Sequence, residues 1–286
     1  MALLIRSAPL LDRLSAVART ALPPLALTAA VLGLVSCSAS GALPVHRLPD
    51  TPAAPGAGTA TGTGSTTGAA AFALAPTQRL VIVTDGGVAL SAGASGAVSV
   101  GTDGAVVSSW HRAGPVATLD LDCPAHPAPG AGPCPGTVQV SVPANAAVTV
   151  QARNAGVSAT GLDGPLNLAT VNGDVTVAAA GTADEPMQLT TRNGSVRATG
   201  LRAPSLAALT VNGDVDLAWA SAPGQVTAGT TNGSLDLTLP ADCPHYAITA
   251  QTRNGQPHLG LPSDGTAADR LDLTTVNGDI TVRSAA

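Results

Sequence analysis

The 286-residue sequence contains no lysine: its thirteen basic residues are all arginines, set against eighteen acidic residues and a formal net charge of −5. An acidic, lysine-free surface has little with which to track a phosphate backbone, so nucleic acid is excluded as an expected partner. The same lack excludes lysine–asparagine crosslinks. Aromatic residues are nearly absent, numbering only Phe72, Trp110, Trp219 and Tyr246. A core must then be built from alanine, valine and leucine, which fill thin stacked layers but would leave voids in a thick globular interior. Glutamate occurs once, at Glu185, and the aspartates are spread along the chain rather than paired. The clustered carboxylates and basic partners of polysaccharide-cleaving sites are missing, so no enzyme is expected. No CxxC spacing is present for zinc and no nonapeptide spacing for calcium, so neither metal nor cofactor is expected.

What the sequence does have is one motif, many times. Asn-Gly occurs at Asn172-Gly173, Asn193-Gly194, Asn212-Gly213, Asn232-Gly233, Asn254-Gly255 and Asn277-Gly278, at intervals of 21, 19, 20, 22 and 23 residues. Threonine stands two places before each asparagine, at Thr170, Thr191, Thr210, Thr230, Thr252 and Thr275. Apolar residues stand four before and five after. The third place after is Val175, Val196, Val215, Leu235 and Ile280, broken by Pro257. Self-similarity at about 20 residues marks a repeat architecture whose units bury their apolar faces against one another.

Two folds compete for this pattern. Asn-Gly between alternating apolar residues also favours a β-hairpin, and a meander of hairpins fits each turn taken singly. Repeated identity of the turn residues favours stacked coils instead, because coils spaced about 4.8 Å apart reward columns of threonine and asparagine that hydrogen-bond to their copies. The expected fold is all-β: a β-solenoid resembling a single-stranded β-helix, with coils of about 20 residues. The place two after each asparagine reads Asp174, Ser195, Asp214, Ser234, Gln256, Asp279, so successive units never both carry a charge there, as stacking would require. The same series fits a 40-residue unit of two unlike halves. Pro257 lacks a ladder donor and predicts a bulge or loop near residues 256–266.

Upstream, three arginines within residues 1–20 precede an apolar run from Ala21 to Ser36, the order of a secretory signal and short of a bilayer span. The run ends Leu34-Val35-Ser36-Cys37, which resembles the bacterial lipobox. That resemblance implies a signal peptide over 1–36, diacylation of Cys37 with palmitate-type chains, and a lipid anchor on the extracytoplasmic face of the cell membrane. An ordinary signal peptide with a chance cysteine is the alternative. Residues 37–76 are rich in alanine, glycine, threonine and proline and read as a disordered linker. Its mean reach is about 35 Å on the flexible-chain scale.

The folded region is expected over 77–286, with the clearest repeats over 143–286. Arg79 to Val83 opens it as a strand, and Val98–Val100 and Val116–Leu121 alternate in the same way. Cys123 and Cys134 bracket a proline-rich loop. In an exported chain they form a candidate disulfide contributing about 3 kcal/mol, with Cys243 left over as a competitor for one of them. Arg153-Asn154-Ala155-Gly156-Val157 looks like a degenerate first unit. Val142-Pro143-Ala144 leading into Val148-Thr149-Val150, followed by the Thr-x-Asn-Gly-Asp/Ser-Val turns through Ile280, resembles bacterial envelope proteins catalogued as "putative adhesins". The resemblance implies a β-solenoid outside the cytoplasm and brings no catalytic residues.

The sequence thus predicts a non-enzymatic envelope lipoprotein, a structural or adhesion module meeting an envelope glycan or a membrane protein. An accessory of an envelope-stress or signalling system, presenting a protein-binding edge, is the rival; a polysaccharide-active enzyme is the remote one. Arg192 and Arg253 could form a basic stripe, though pairing with nearby aspartates is favoured. Asp174 and Asp214 could approach one another at a calcium ion, though capping of nearby backbone is favoured. Trp219 is expected to pack at a coil edge.

Overall fold

The computed structural model describes residues 71–94, 96–101, 106–123 and 136–285. The described residues all fall within one compact unit, Gly58–Ala286. Every regular element in them is a strand.

The strands form two sheets, and in both the repeat region runs parallel. In the first sheet Ala147–Ala152, Leu166–Ala169, Met187–Thr190, Ser205–Leu209 and Gln225–Gly229 lie side by side. In the second, Val157–Thr160, Val175–Ala178, Val196–Leu201, Val215–Trp219 and Leu235–Leu239 do the same. The chain alternates between sheets, crossing from first to second at each Thr-x-Asn-Gly corner, so each 20-residue unit is one rung. Hairpin pairing across Asn-Gly does not occur; the asparagines instead bridge in parallel from rung to rung, Asn172 to Asn193 to Asn212 to Asn232. The geometric unit is therefore 20 residues, and the Asp/Ser alternation is a chemical variation upon it.

Stacking in register turns sequence periodicity into columns. In the first sheet Val148, Leu166, Met187, Leu206 and Val226 lie above one another, and in the second Val157, Val175, Val196, Val215 and Leu235. All ten are essentially buried and belong to one continuous core. Each fully buried leucine or isoleucine contributes about 1.5–3 kcal/mol, so the stack gains from many small increments rather than a few large aromatic ones.

Stacking order departs from chain order at both ends. The rung Asp269–Thr274 and Ile280–Ser284, later in sequence, lies against Gln225–Gly229 and Leu235–Leu239. The earlier rung, Tyr246–Gln251 and Pro257–Leu259, is displaced to the outside. At the opposite end, Arg79–Thr84 and Gly87–Gly93 lie between the 147–160 rung and the later pair Val116–Asp122 and Thr137–Pro143.

Pro257 explains the exchange near residue 257. In interior rungs the N–H three places after the asparagine donates to the next rung: Val175 to Ser195 O, Val196 to Asp214 O, Val215 to Ser234 O, Leu235 to Asp279 O, Ile280 to Gln256 O, all at 2.9–3.0 Å. Proline has no such donor, so its rung fits only where no further rung follows. The sequence expectation of a bulge or loop near 256–266 thus takes the form of a short strand, Pro257–Leu259, and a loop leading back to Asp269.

The other end is closed. Val107–Ala113 pairs antiparallel with Val116–Asp122, Ala97–Val100 with Thr137–Pro143, and Ala71–Ala73 with Ala97–Val100. Phe72 and Trp110 stack with ring centroids 4.1 Å apart, and the Arg112 guanidinium sits 4.5 Å over the Phe72 ring. Ala71–Ala73 lies within the residues read from sequence as linker, so the strands begin earlier than position 77. Its alanine-rich composition gave no periodic signal; one phenylalanine fixes it. Leu74, which follows that strand, is buried in the core, while Cys37 and residues 38–70 of that linker lie outside the described residues.

Candidate functional site

The Thr-x-Asn-Gly corner is where the repeated polar residues converge. Each asparagine amide donates its Nδ2 to the Oδ1 of the asparagine on the preceding rung. The column runs Asn154, Asn172, Asn193, Asn212, Asn232, Asn277, Asn254, with spacings of 2.7–2.8 Å beyond the first contact at 3.3 Å. Asn154 heads it, so the degenerate unit seen in sequence is a rung like the others. The Asn-Gly residues expected to form turns all sit at this corner.

The threonines act differently from the sequence expectation. They are buried except at the outermost rung, and none bonds to its copy. Each hydroxyl donates to a backbone carbonyl of the adjacent rung: Thr170 to Ala155, Thr191 to Gly173, Thr210 to Gly194, Thr230 to Gly213, Thr275 to Gly233 and Thr252 to Gly278, all at 2.8–2.9 Å. Threonine is needed there because a buried carbonyl left without a donor would cost about 1–3 kcal/mol. That carbonyl belongs to another rung, so local sequence gives no sign of it.

In stacking order the place two after asparagine reads Asp174, Ser195, Asp214, Ser234, Asp279, Gln256, an unbroken alternation that chain order obscures. Asp174, Asp214 and Asp279 accept, through Oδ1, the N–H of Ser195, Ser234 and Gln256 at 2.8–2.9 Å. The serine hydroxyls accept from Asp214 N and Asp279 N at 3.2 Å. Asp174 and Asp214 therefore stand two rungs apart and bind backbone. Among the described residues no group of three metal-binding side chains lies together.

The residue just before each asparagine forms an exposed column beside the amides. In stacking order it reads Arg153, Val171, Arg192, Val211, Thr231, Val276, Arg253, with Val171 and Val211 about 40% exposed and Val276 half-buried. Arg153 pairs with Asp85 at 3.2 Å. Arg192 and Arg253 make no ion pair among the described residues, contrary to the pairing favoured from sequence, because the flanking aspartates face along the stack. The corner therefore presents stacked amides edged by arginines and exposed valines.

On the outer face of the second sheet, charge is concentrated instead of alternating. Asp216 and Asp236 lie directly opposite one another, with Arg197 reaching Asp174 at 3.0 Å and Asp216 at 3.5 Å, and Arg283 reaching Asp236 at 2.9 Å. Arg197, Asp216, Asp236 and Arg283 line a shallow concavity of about 270 Å³ together with Thr199, Ala218 and Thr238. Burial raises the Asp216 carboxyl above the ordinary carboxylate value; Arg197 opposes this, while Asp214 and Asp236 add to it. A raised folded value means that this group's stabilising contribution is complete below its unfolded pKa and is lost as pH rises through the folded one. Asp216→Asn is accordingly expected to raise the melting temperature near neutral pH, and this gain is expected to shrink towards zero as the pH is lowered to about 2, below both values. Thermal unfolding at the two pH values checks this, and equal shifts would contradict it.

The remaining sites read from sequence are dispersed. Trp219 is buried beside Leu201 in the adjacent strand. Tyr246 is buried and donates its hydroxyl to Pro223 O at 2.9 Å; burial pushes its phenol well above the usual range. Both rings are therefore held in the core, away from the surface. Cys123 is disulfide-bonded, Cys134 lies outside the described residues, and Cys243 is free, so it does not compete for the bridge.

Residues 136–283 match the Toastrack DUF4097 family, and the chain belongs to it. The match opens with the strand Thr137–Pro143 and takes in every Thr-x-Asn-Gly corner. Among solved structures, the chain is similar to a putative cell adhesion protein from Clostridium sporogenes ATCC 15579, at 8% identity and a TM-score of 0.36, over 78% of this chain and 100% of that one. No curated protein matches.

Proposed function

We propose that this Toastrack protein is a non-enzymatic envelope lipoprotein, held to the membrane through Cys37, whose solenoid serves as a structural and adhesive module for a polymeric envelope glycan. The observation that carries the reading is the exposed corner: seven stacked asparagine amides in line, edged by Arg192 and Arg253, neither of which is neutralised by an ion pair among the described residues. Amides repeating about every 4.8 Å along a rigid edge suit a ligand that itself repeats, and free guanidiniums favour one that carries carboxylate or phosphate. The resemblance of Leu34-Val35-Ser36-Cys37 to a lipobox supports the anchor.

Two measurements test this. Metabolic labelling with palmitate is expected to tag the full-length protein and to fail with Cys37→Ser; label persisting in the variant would remove the anchor. Co-sedimentation with purified envelope polysaccharide is expected to retain the wild type, and the Arg192→Ala/Arg253→Ala double variant is expected to lose at least about tenfold in affinity, the scale of losing charge-assisted contacts. Undiminished binding by the double variant would take the corner out of the interaction. Recovery of one stoichiometric membrane protein in place of glycan would favour the accessory role.

A further inference from the structure

Asn-Gly is the dipeptide most prone to spontaneous deamidation, because the glycine nitrogen can swing without side-chain hindrance onto the asparagine Cγ. This chain exposes six such pairs, so its chemical durability depends on what holds each glycine nitrogen. In five of them the N–H is committed to the next rung. Gly173 donates to Asn193 O, Gly194 to Asn212 O, Gly213 to Asn232 O, Gly233 to Asn277 O and Gly278 to Asn254 O, all at 2.9–3.0 Å. Attack on Cγ would first require that bond to break and the rung to part from its neighbour. The attacked amides are also held on both sides, donating to one asparagine and accepting from another.

Asn254-Gly255 is the exception. Its rung is outermost, so the Gly255 N–H has no acceptor among the described residues. The Asn254 amide donates to Asn277 Oδ1 at 2.7 Å, but its own Oδ1 receives nothing from a further asparagine. The layer around it is the least covered in the stack: Pro257 and Leu259 are exposed, and Ile248 and Ala250 only partly buried. Local opening is cheapest where burial is least.

We infer that Asn254 is a modification site at which the folded protein undergoes selective succinimide-mediated deamidation, the other five Asn-Gly pairs being protected by rung stacking. Gly255 N, losing its proton, bonds to Asn254 Cγ, and Nδ2 departs as ammonia. The five-membered succinimide then takes up one water at either carbonyl, giving aspartate or isoaspartate. Net, one water is consumed and one ammonia released, with no oxidant or cofactor. The product places a new negative charge at the end of the amide column beside Arg253 and breaks only the outermost link. The inference is independent of any ligand.

The test is to age the full-length protein at neutral pH and 37 °C and then cleave after arginine. Arg253 and Arg270 flank residues 254–270, so Asn254 is reported in a peptide free of the other five pairs. Amide-to-acid conversion, read as the mass change localised by fragmentation to Asn254, is expected to accumulate at least about tenfold faster than at the other five asparagines, reflecting the lower cost of opening an end rung; isomerisation at Asp264-Gly265 in the same peptide leaves the mass unchanged and is not counted. In denaturant all six pairs should convert at comparable rates. Asn254→Gln should abolish the mass-changing conversion in 254–270, leave isomerisation at Asp264-Gly265 in place and leave the other peptides unchanged. Similar rates at all six pairs in the folded protein, another pair leading, or a stable Asn254 beside normal conversion in denaturant would each overturn the inference.

Discussion

Alanine in place of Gly213 is expected to cost about 3 kcal/mol or more, the upper range for overpacking, and to abolish a single cooperative unfolding transition. A Cβ there would stand 2.1 Å from Gly194 O and 2.5 Å from Gly194 C, with backbone rather than a movable side chain in the way. The residue also has φ +155°, a region that side-chain-bearing residues rarely adopt. Relief would demand that the 194 and 213 corners separate, which would break the Thr210 bond to Gly194 O and the amide link between Asn193 and Asn212. Gly265→Ala is the control, since nothing lies within 4 Å of its added carbon. Urea unfolding of both variants provides the measurement. A Gly213→Ala protein as stable as Gly265→Ala would mean that the corners do not stack this closely.

Leu237→Ala is expected to destabilise by about 2–5 kcal/mol through the cavity it leaves. Leu237 is fully buried, in one column with Leu217 on one side and Val282 on the other. The core is made of small aliphatic layers pinned by hydrogen-bonded corners, which limits collapse into the space. Leu259 occupies the same column one rung beyond Val282 but is 41% exposed. Leu259→Ala should therefore cost well under half as much. The pair distinguishes stacking order from chain order: if the rungs followed the sequence, Leu259 would lie inside and its loss would rival that of Leu237. Comparable midpoint shifts in denaturant, at unchanged slope, would count against the exchanged order.

Much of this architecture is legible in the residues themselves. Thr-x-Asn-Gly recurring every 20 residues gives the rung, and the asparagine column follows from identity at equivalent places. The serine and aspartate alternation anticipates a stack, although its bonding role emerges only when rungs face one another. Other features are non-local. The threonine partners are carbonyls on a different rung, and the isolation of Arg192 and Arg253 depends on where the neighbouring aspartates point. The closed end uses antiparallel strands without the corner motif, so its periodicity differs from the rest of the chain. Pro257 was the missed signal. Taken locally its lack of an N–H implies only an irregularity, whereas a donor required by the following rung makes it a statement about position in the stack.

The exchanged rungs have a bearing on how the molecule is made. Synthesis delivers residues 246–259 before 269–284, yet the earlier segment needs the later one beneath it to occupy its final place. A nascent chain growing rung by rung could lay 246–259 directly upon 225–239, but Pro257 favours no such permanent seat for it. In the finished stack the younger segment holds the inner berth and the older one covers it, so the outer rung has no seat until residues 269–284 have been made.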